Sequence, residues 1–400
     1  MNFFPTWPLE INAFLVFGLL VVAGLIGGEL ARRSRYLPRI TGFIAIGFVL
    51  GPGLLGLITP EMLNLARLFV DVALGLILFH LGRLLDASHL WRERPLLAAS
   101  FFEAVLSFGA LFGVLYFLGI TPVLAALAAA IGISSSPAVV LLVVRELNAS
   151  GPLTDRAVTL VALNNILSFL AFTALLPFLH YAQEADWGTI LLQPLYKLLL
   201  SLLLAWLLCR VLLWLARWLG PGAGMQFALI IGVVISGVGL AKLLNASPLL
   251  MLLALGVLSR NLDHNKVVAP VDFGHGAELF FIILFVAAGA NLHVDDLMTA
   301  GVASVAFVVA RFLGKGLGVL VLIPVLGARK SLLIGGTLVP MAGMAIGLTQ
   351  TAAEMYPAFA ATLTAIVLGA IAILETIGPV ATVYALKKSG EVSPEARVDH

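Results

Sequence analysis

Apolar residues fill the chain in long runs that are separated by short polar segments, from residue 13 to residue 386. Most of these runs reach the roughly 20 residues that a helix needs to cross about 30 Å of hydrocarbon, and they lack the alternation of a membrane-spanning strand. The pattern predicts an all-α, polytopic membrane protein. We place thirteen spans at 13–31, 39–58, 67–83, 95–118, 122–147, 154–181, 189–218, 223–243, 246–261, 275–291, 299–326, 329–354 and 358–386.

The composition agrees with a protein whose solvent is the lipid bilayer. Hydrophobic residues make up 61% of the chain, charged residues make up 11%, and the mean hydropathy is +1.09. A formal net charge of +2 gives no indication of a nucleic-acid partner. The single cysteine, Cys209, excludes an internal disulfide framework and a cysteine metal cluster. The first apolar run has no basic segment before it, so we expect it to remain as a span rather than to be removed as a signal peptide.

The basic residues predict the orientation of the chain. The junctions after odd-numbered spans, together with the tail, carry 18 of the 23 Lys and Arg residues, whereas only Arg67, Lys197 and Lys242 lie near the other junctions. Under the positive-inside rule this alternation predicts an N-terminus outside and a C-terminus in the cytoplasm. We therefore expect a multi-pass protein of the cell (inner) membrane, with residues 387–400 as a short cytoplasmic tail.

A small set of polar residues lies well inside the apolar runs, where burial costs free energy that packing does not return. Each has a structural alternative, since Asn and Ser can simply join neighbouring helices and Lys and Arg can reach towards the membrane surface. The set consists of Glu103, Ser134, Ser135, Ser136, Asn164, Asn165, Arg311, Lys315 and Glu375.

The positions of these residues indicate an inverted repeat. Spans 2–6 and 9–13 form two blocks displaced by seven spans, and an odd displacement inserts the second block upside down. Span 5 is interrupted by "GISSSPAVV" around Pro137, and its counterpart, span 12, contains "VPMAGMAIGLTQT" with a predicted break from Pro340 to Gly347. Interrupted helices in matching positions present free main-chain groups near the midplane, which is typical of an ion-binding site in a transporter. Gly343 belongs to this candidate site.

The order and spacing of several segments resemble the monovalent cation/proton antiporter family, in the branch of bacterial sodium/proton antiporters and glutathione-gated potassium efflux systems. These segments are "GFVLGPGLLGL", "GLILFHLGRLLD", "SSSPAVVLLVVRELNASGPLTDRAV", "ELFFIILFVAAGANLHVDDL" and "ARFLGKGLGVLV". The resemblance implies a homodimer in which residues 1–94 and 182–298 form dimerisation or scaffold helices. It also implies a core transport bundle, residues 95–181 and 299–386, with two crossed discontinuous helices.

The resemblance also implies roles for individual residues. Asn164 and Asn165 occupy the positions of the family's polar pair, and Lys315 matches its basic residue, with Arg311 as a competitor. The second residue of the pair is an Asp in the family, where one carboxylate holds either a cation or a proton. Asn165 can offer an oxygen to a cation, but it cannot carry a proton.

The sequence therefore leaves three functions to compare. The leading hypothesis is a secondary transporter that exchanges Na⁺ or K⁺ for protons by alternating access, with Glu375, or else Glu103, as the proton carrier. A second is a proton-independent carrier of a cation or a small anion, the anion being attracted by Arg311 and Lys315. A third is a non-transporting sensor. We expect no enzyme activity, no cofactor and no metal beyond the transported monovalent cation, because "GKGLG" lies inside an apolar run and no His/Glu pair has metal-ligand spacing.

Overall fold

The computed structural model of the protein describes residues 12–33, 39–182, 192–220, 223–263, 266–268, 275–291, 294–355 and 357–392. Within these ranges the chain forms helices and turns without a strand, which confirms the all-α fold class. The helices are α1 (Ala13–Arg33), α2 (Arg39–Leu50), α3 (Pro60–Leu84), α4 (Ala87–Arg92), α5 (Arg94–Phe117), α6 (Pro122–Ile133), α7 (Pro137–Glu146), α8 (Pro152–Ala182), α9 (Gln193–Leu219), α10 (Ala223–Leu243), α11 (Pro248–Leu262), α12 (His275–Ala290), α13 (Val294–Gly318), α14 (Ile323–Leu326), α15 (Ala328–Thr337), α16 (Gly343–Met355) and α17 (Pro357–Ser389).

Every predicted span overlaps at least one helix, but the count of thirteen is not confirmed. Nine helical segments of the described chain are long and apolar enough to cross a membrane, and three further apolar helical segments, Arg39–Leu50, Pro248–Leu262 and Leu279–Ala290, are shorter. The predicted span 329–354 consists of α15 and α16, which have 10 and 13 residues and are each too short to cross alone. The interruption that the sequence predicts in this span therefore divides it into two short helices.

One compact unit comprises residues 1–73 and 273–295. Within its described part, α1, α2 and α12 pack against one another, and α2 and α12 approach to backbone contact. A Cβ on Gly47 would overlap the carbonyl oxygen of Val286, and a Cβ on Gly289 would overlap that of Ile44. Small residues of this kind allow helices to pack closely in a membrane, where the hydrophobic effect does not drive association.

The second compact unit comprises residues 74–272 and 296–400, and it contains every polar residue of the candidate site. In this unit α5, α8 and α17 pack against two interrupted helices, which consist of α6 with α7 and of α15 with α16. The predicted assignment of residues 95–181 and 299–386 to a transport bundle, and of the remaining spans to a dimerisation scaffold, stays a prediction.

The two interruptions lie where the sequence places prolines. The first is at residues 134–136, between α6 and α7, as predicted from Pro137. The second is at residues 338–342, between α15 and α16, and not from Pro340 to Gly347 as predicted. The prediction was wrong for its later part because Gly343 begins α16 and Gly347 lies one turn inside it, so these glycines permit helix rather than end it.

Candidate functional site

The two interruptions touch each other. The main-chain N–H of Ser136 donates to the carbonyl oxygen of Pro340 at 2.8 Å, and the hydroxyl of Ser135 donates to that of Leu338 at 3.0 Å. Ser136 also begins α7 as its N-cap, since its hydroxyl accepts from the amide of Val139 at 3.4 Å. The predicted crossing of the two broken helices is therefore present, and these serines help to hold it together.

Arg311 of α13 lies fully buried at this crossing. Main-chain carbonyls at the C-terminal ends of α6 and α15 carry partial negative charge, and a guanidinium cation with its fork of donors satisfies them. The Arg311 side chain donates to the carbonyl oxygens of Gly132 (2.9 Å), Ser134 (2.6 Å), Leu338 (3.2 Å), Pro340 (3.4 Å) and Val339.

Lys315, one helical turn further along α13, forms a buried ion pair with Glu103 of α5. The ammonium group lies 2.6 Å from Glu103 Oε1 and also donates to the carbonyl oxygen of Ile133 at 2.9 Å. The hydroxyl of Ser107 donates to the same Oε1 at 2.9 Å. The helices can come this close because Gly318 packs directly on the backbone of Glu103, where a larger side chain would not fit.

The asparagine pair lies on α8, beside the first interruption, and both side chains are buried. The Asn165 amide nitrogen donates to the carbonyl oxygens of Ser135 at 2.9 Å and Val161 at 2.8 Å. These bonds fix the orientation of the amide, and its Oδ1 has no hydrogen-bond partner in the described chain. Asn164 Oδ1 accepts from the hydroxyl of Ser100 at 3.5 Å, while its Nδ2 is buried without a partner among the described residues.

Glu375, in the middle of α17, is 0% exposed, and neither carboxylate oxygen has a hydrogen-bond partner within the described part of the chain. Four residues later, Pro379 lies inside the same helix. Because proline has no N–H, the main-chain carbonyl of Glu375 also lacks its usual donor one turn ahead. The two carboxylate oxygens of Glu375 are therefore available to a proton or a cation among the described residues.

α17 contacts the second interruption close to Glu375. Gly378 lies three residues after Glu375, on the same side of the helix. A Cβ added to Gly378 would lie 2.8 Å from the Cα of Pro340, so α17 contacts the second break at this level. Gly343, the remaining predicted site residue, begins α16 and packs against the side chain of Leu74.

The described structure thus brings most of the predicted residues to the crossing. Sequence reasoning missed two polar neighbours, Ser100 and Ser107, and the proline within α17, Pro379. Ser100, Glu103 and Ser107 recur at helical spacing in span 4, and this period was a signal that could have found both serines. A proline four residues after a carboxylate within a span was the corresponding signal for Pro379.

Comparison with known proteins identifies a matching family and similar folds. Residues 17–388 match the family described as sodium/hydrogen exchanger, transmembrane. The fold is similar to a structure of the sodium proton antiporter MjNhaP1 from Methanocaldococcus jannaschii at pH 8, with 17% identity, a TM-score of 0.66, and 94% of this chain and 96% of that chain covered. A structure of the same antiporter from electron microscopy gives 16% identity, a TM-score of 0.72 and coverage of 96% and 99%. No curated protein gives a significant match.

Proposed function

The chain belongs to the sodium/hydrogen exchanger family of membrane transporters, and we propose that it exchanges a monovalent cation for protons with Glu375, rather than a residue at position 165, as the proton carrier. Members of this family are transporters and not enzymes. The proposal extends to alternating access around the crossed breaks, which gives each side of the membrane a path to the same buried groups.

The burial of Glu375 without a hydrogen-bond partner among the described residues is the observation that carries this proposal. An ionised carboxylate in an apolar interior is costly unless it is paired. Glu375 is therefore stable in two forms, with a bound proton or with a bound cation. Because the two ligands neutralise the same group, binding one displaces the other, and this competition is what antiport requires.

Asn165 supplies a neutral oxygen to the cation in this mechanism. Its Nδ2 is held by two main-chain carbonyls, so its unpartnered Oδ1 is available as a ligand without further ordering. The amide cannot take up a proton, which separates the two tasks. The amide contributes to cation affinity, and the carboxylate of Glu375 provides proton exchange.

Glu103 is a weaker candidate for the proton carrier because Lys315 and Ser107 already bind its Oε1. Breaking a buried ion pair leaves an unpaired charge, at a cost of about 3–5 kcal/mol. Glu103 serves better as the fixed partner of Lys315. The two basic side chains also disfavour transport of an anion, because their charges are already engaged. Arg311 donates to main-chain carbonyls, and Lys315 pairs with a carboxylate.

Currents from reconstituted protein test the proposal. We expect proteoliposomes on a solid-supported membrane to respond to jumps of Na⁺, the ion named by the family, under a pH gradient, with K⁺ and Li⁺ compared in the same preparation. Glu375→Gln should reduce cation-driven proton movement to the level of empty liposomes. Glutamine imitates the protonated acid in shape and neutrality, so the variant should remain folded and show an unchanged or higher melting temperature.

Glu29→Gln is the matched control. This carboxylate is exposed and forms a local pair with Arg32 at 2.7 Å, so its replacement should leave transport intact. The role of Glu375 is contradicted if Glu375→Gln still couples cation and proton movement. If Glu103→Gln retains the coupling as well, neither carboxylate carries the proton.

A further inference from the structure

The first turn of α8 is held by a residue from beyond the end of α17. The Glu391 carboxylate accepts from the amide of Leu153 at 2.8 Å, the amide of Thr154 at 2.8 Å and the Thr154 hydroxyl at 2.8 Å. The Glu391 carbonyl accepts from the amide of Ser150 at 2.9 Å. The amides of Leu153 and Thr154 are among the free N–H groups that any helix leaves at its start, and a negative charge is stabilised there by the helix dipole.

The residues at the start of α8 provide no N-cap side chain of their own, and Glu391 takes this role. The residue before the helix is Gly151, which has no side chain to act as an N-cap, and its φ of +153° lies in a region that glycine adopts readily. A Cβ at Gly151 would lie 2.5 Å from Glu391 Cδ, so a larger residue would displace the carboxylate. Pro152 supplies no donor at the first position, which leaves the next two amides for Glu391.

A second contact ties the same turn of α8 to α5. Arg156 Nε donates to Glu93 Oε2 at 3.1 Å, and Arg156 Nη2 donates to Glu93 Oε1 at 3.2 Å. Glu93 is the residue immediately before α5. The beginning of α8 therefore joins three of the helices that carry buried polar groups: α5 with Glu103, α8 with the asparagine pair and α17 with Glu375.

This junction fixes the depth of the asparagine pair along α8 relative to the depth of Glu375 along α17. Asn165 lies 13 residues after the start of α8, and Glu375 lies 14 residues before the end of α17, which corresponds to about 20 Å and about 21 Å of helix. Since Glu391 joins these two helix ends, a shift of either helix along its axis would separate the two groups in depth.

We propose that Glu391 is a positioning residue that ties the start of α8 to the end of α17 and thereby couples the cation ligand Asn165 to the proton carrier Glu375. The coupling role of Glu391 rests on the proposed function. The contact of Glu391 with the start of α8 does not depend on it. Loss of the Glu391 carboxylate allows α8 and α17 to move separately. Fewer protons are then exchanged for each transported cation.

Two measurements on the full chain test the tie and the coupling separately. Hydrogen exchange should show the amides of Leu153 and Thr154 exchanging roughly 2- to 30-fold faster in Glu391→Ala, the range that corresponds to loss of a helix cap. Glu391→Gln retains one acceptor and should lie between Glu391→Ala and the unchanged protein. In proteoliposomes with opposed Na⁺ and pH gradients, the gradients at which net transport reverses give the number of protons moved per cation. This number should be lowest in Glu391→Ala, intermediate in Glu391→Gln and highest in the unaltered protein.

Asp263→Asn is the matched control, because this carboxylate also accepts main-chain amides, those of Val267 at 2.9 Å and Val268 at 2.8 Å. It should leave the proton-to-cation ratio unchanged. Unchanged amide exchange in Glu391→Ala would disprove the tie, and faster exchange with an unchanged ratio would reduce Glu391 to a helix cap. If the unaltered protein moves no protons against Na⁺, K⁺ or Li⁺, the proposed function and the coupling role both fail, and amide exchange alone decides whether the tie exists.

Discussion

The amide of Asn165 shows how much one side chain's orientation contributes to the site. A carboxamide has a donating end and an accepting end, and two main-chain carbonyls, of Ser135 and Val161, select the donating end. The oxygen is left without a hydrogen-bond partner among the described residues. A mid-span asparagine can be found in the sequence, but the direction of its amide depends on where the neighbouring helix is interrupted.

Asn165→Asp is expected to make cation binding depend more steeply on pH than in the unaltered protein, because a second carboxyl group then titrates in addition to Glu375. The second carboxylate oxygen would replace Nδ2 and lie near the two carbonyl oxygens that Nδ2 now satisfies, at a cost of about 1–3 kcal/mol for each unmet buried group. A proton on the new carboxyl, or a bound cation, relieves part of this repulsion. Thermal-shift titrations should therefore show stabilisation by Na⁺ or Li⁺ that increases with pH in the variant. If the variant melts and responds to cations like the unaltered protein at every pH, Asn165 only joins helices.

The crossing of the broken helices shows what can be predicted at the level of an element. Pro137 fixed the first break correctly, because the backbone before a proline disfavours helix. The second break was predicted too late, because Pro340 lies in the middle of the non-helical segment and Gly343 starts the next helix. A run of glycines does not distinguish a break from a helix that needs close packing.

The partners of the buried charges could not be predicted from the sequence. Glu103 and Lys315 are separated by 212 positions, and their contact depends on the rotation and depth of α5 and α13. An apolar run reveals that a charged residue is buried but contains no information on which of several charges it meets. The sequence therefore left Glu103 and Glu375 as alternatives, whereas in the described chain Glu103 is paired with Lys315 and Glu375 has no hydrogen-bond partner.

Arg311→Lys is expected to destabilise the crossing although it preserves the charge. Lysine has three donors on one atom and cannot reach the carbonyls of both breaks with the geometry of a guanidinium. Several buried carbonyl oxygens would lose their donors, at a total cost of about 3 kcal/mol or more. Melting of the purified protein in detergent should show a clear decrease, while Arg210→Lys, at an exposed position of α9, should melt normally. Equal melting temperatures for the two variants would mean that Arg311 acts through its charge alone.

At the level of the whole molecule, the class of the protein is confirmed, whereas its orientation and assembly stay predictions. The apolar runs and the family match agree on a multi-pass transporter over residues 17–388. The homodimer, with an interface outside the transport bundle, stays a prediction that native mass spectrometry in mild detergent can test. Apolar helix surfaces that face lipid and those that face a second copy carry the same residue types, which is why the sequence could not distinguish them.

The orientation of the chain in the membrane can be tested by labelling single introduced cysteines. Cys209 is the single cysteine, so Cys209→Ser provides a background for introducing one cysteine at a time. Thr121 follows α5 at an exposed position that the basic-residue pattern predicts to be outside, and exposed Ala328 begins α15 beside Arg329 and Lys330, on the predicted cytoplasmic side. A membrane-impermeant maleimide should therefore label Thr121→Cys in intact cells and Ala328→Cys only after permeabilisation. The opposite labelling would invert the topology and place Glu391 on the outer side, because Ala328 and the end of α17 share a predicted side of the membrane.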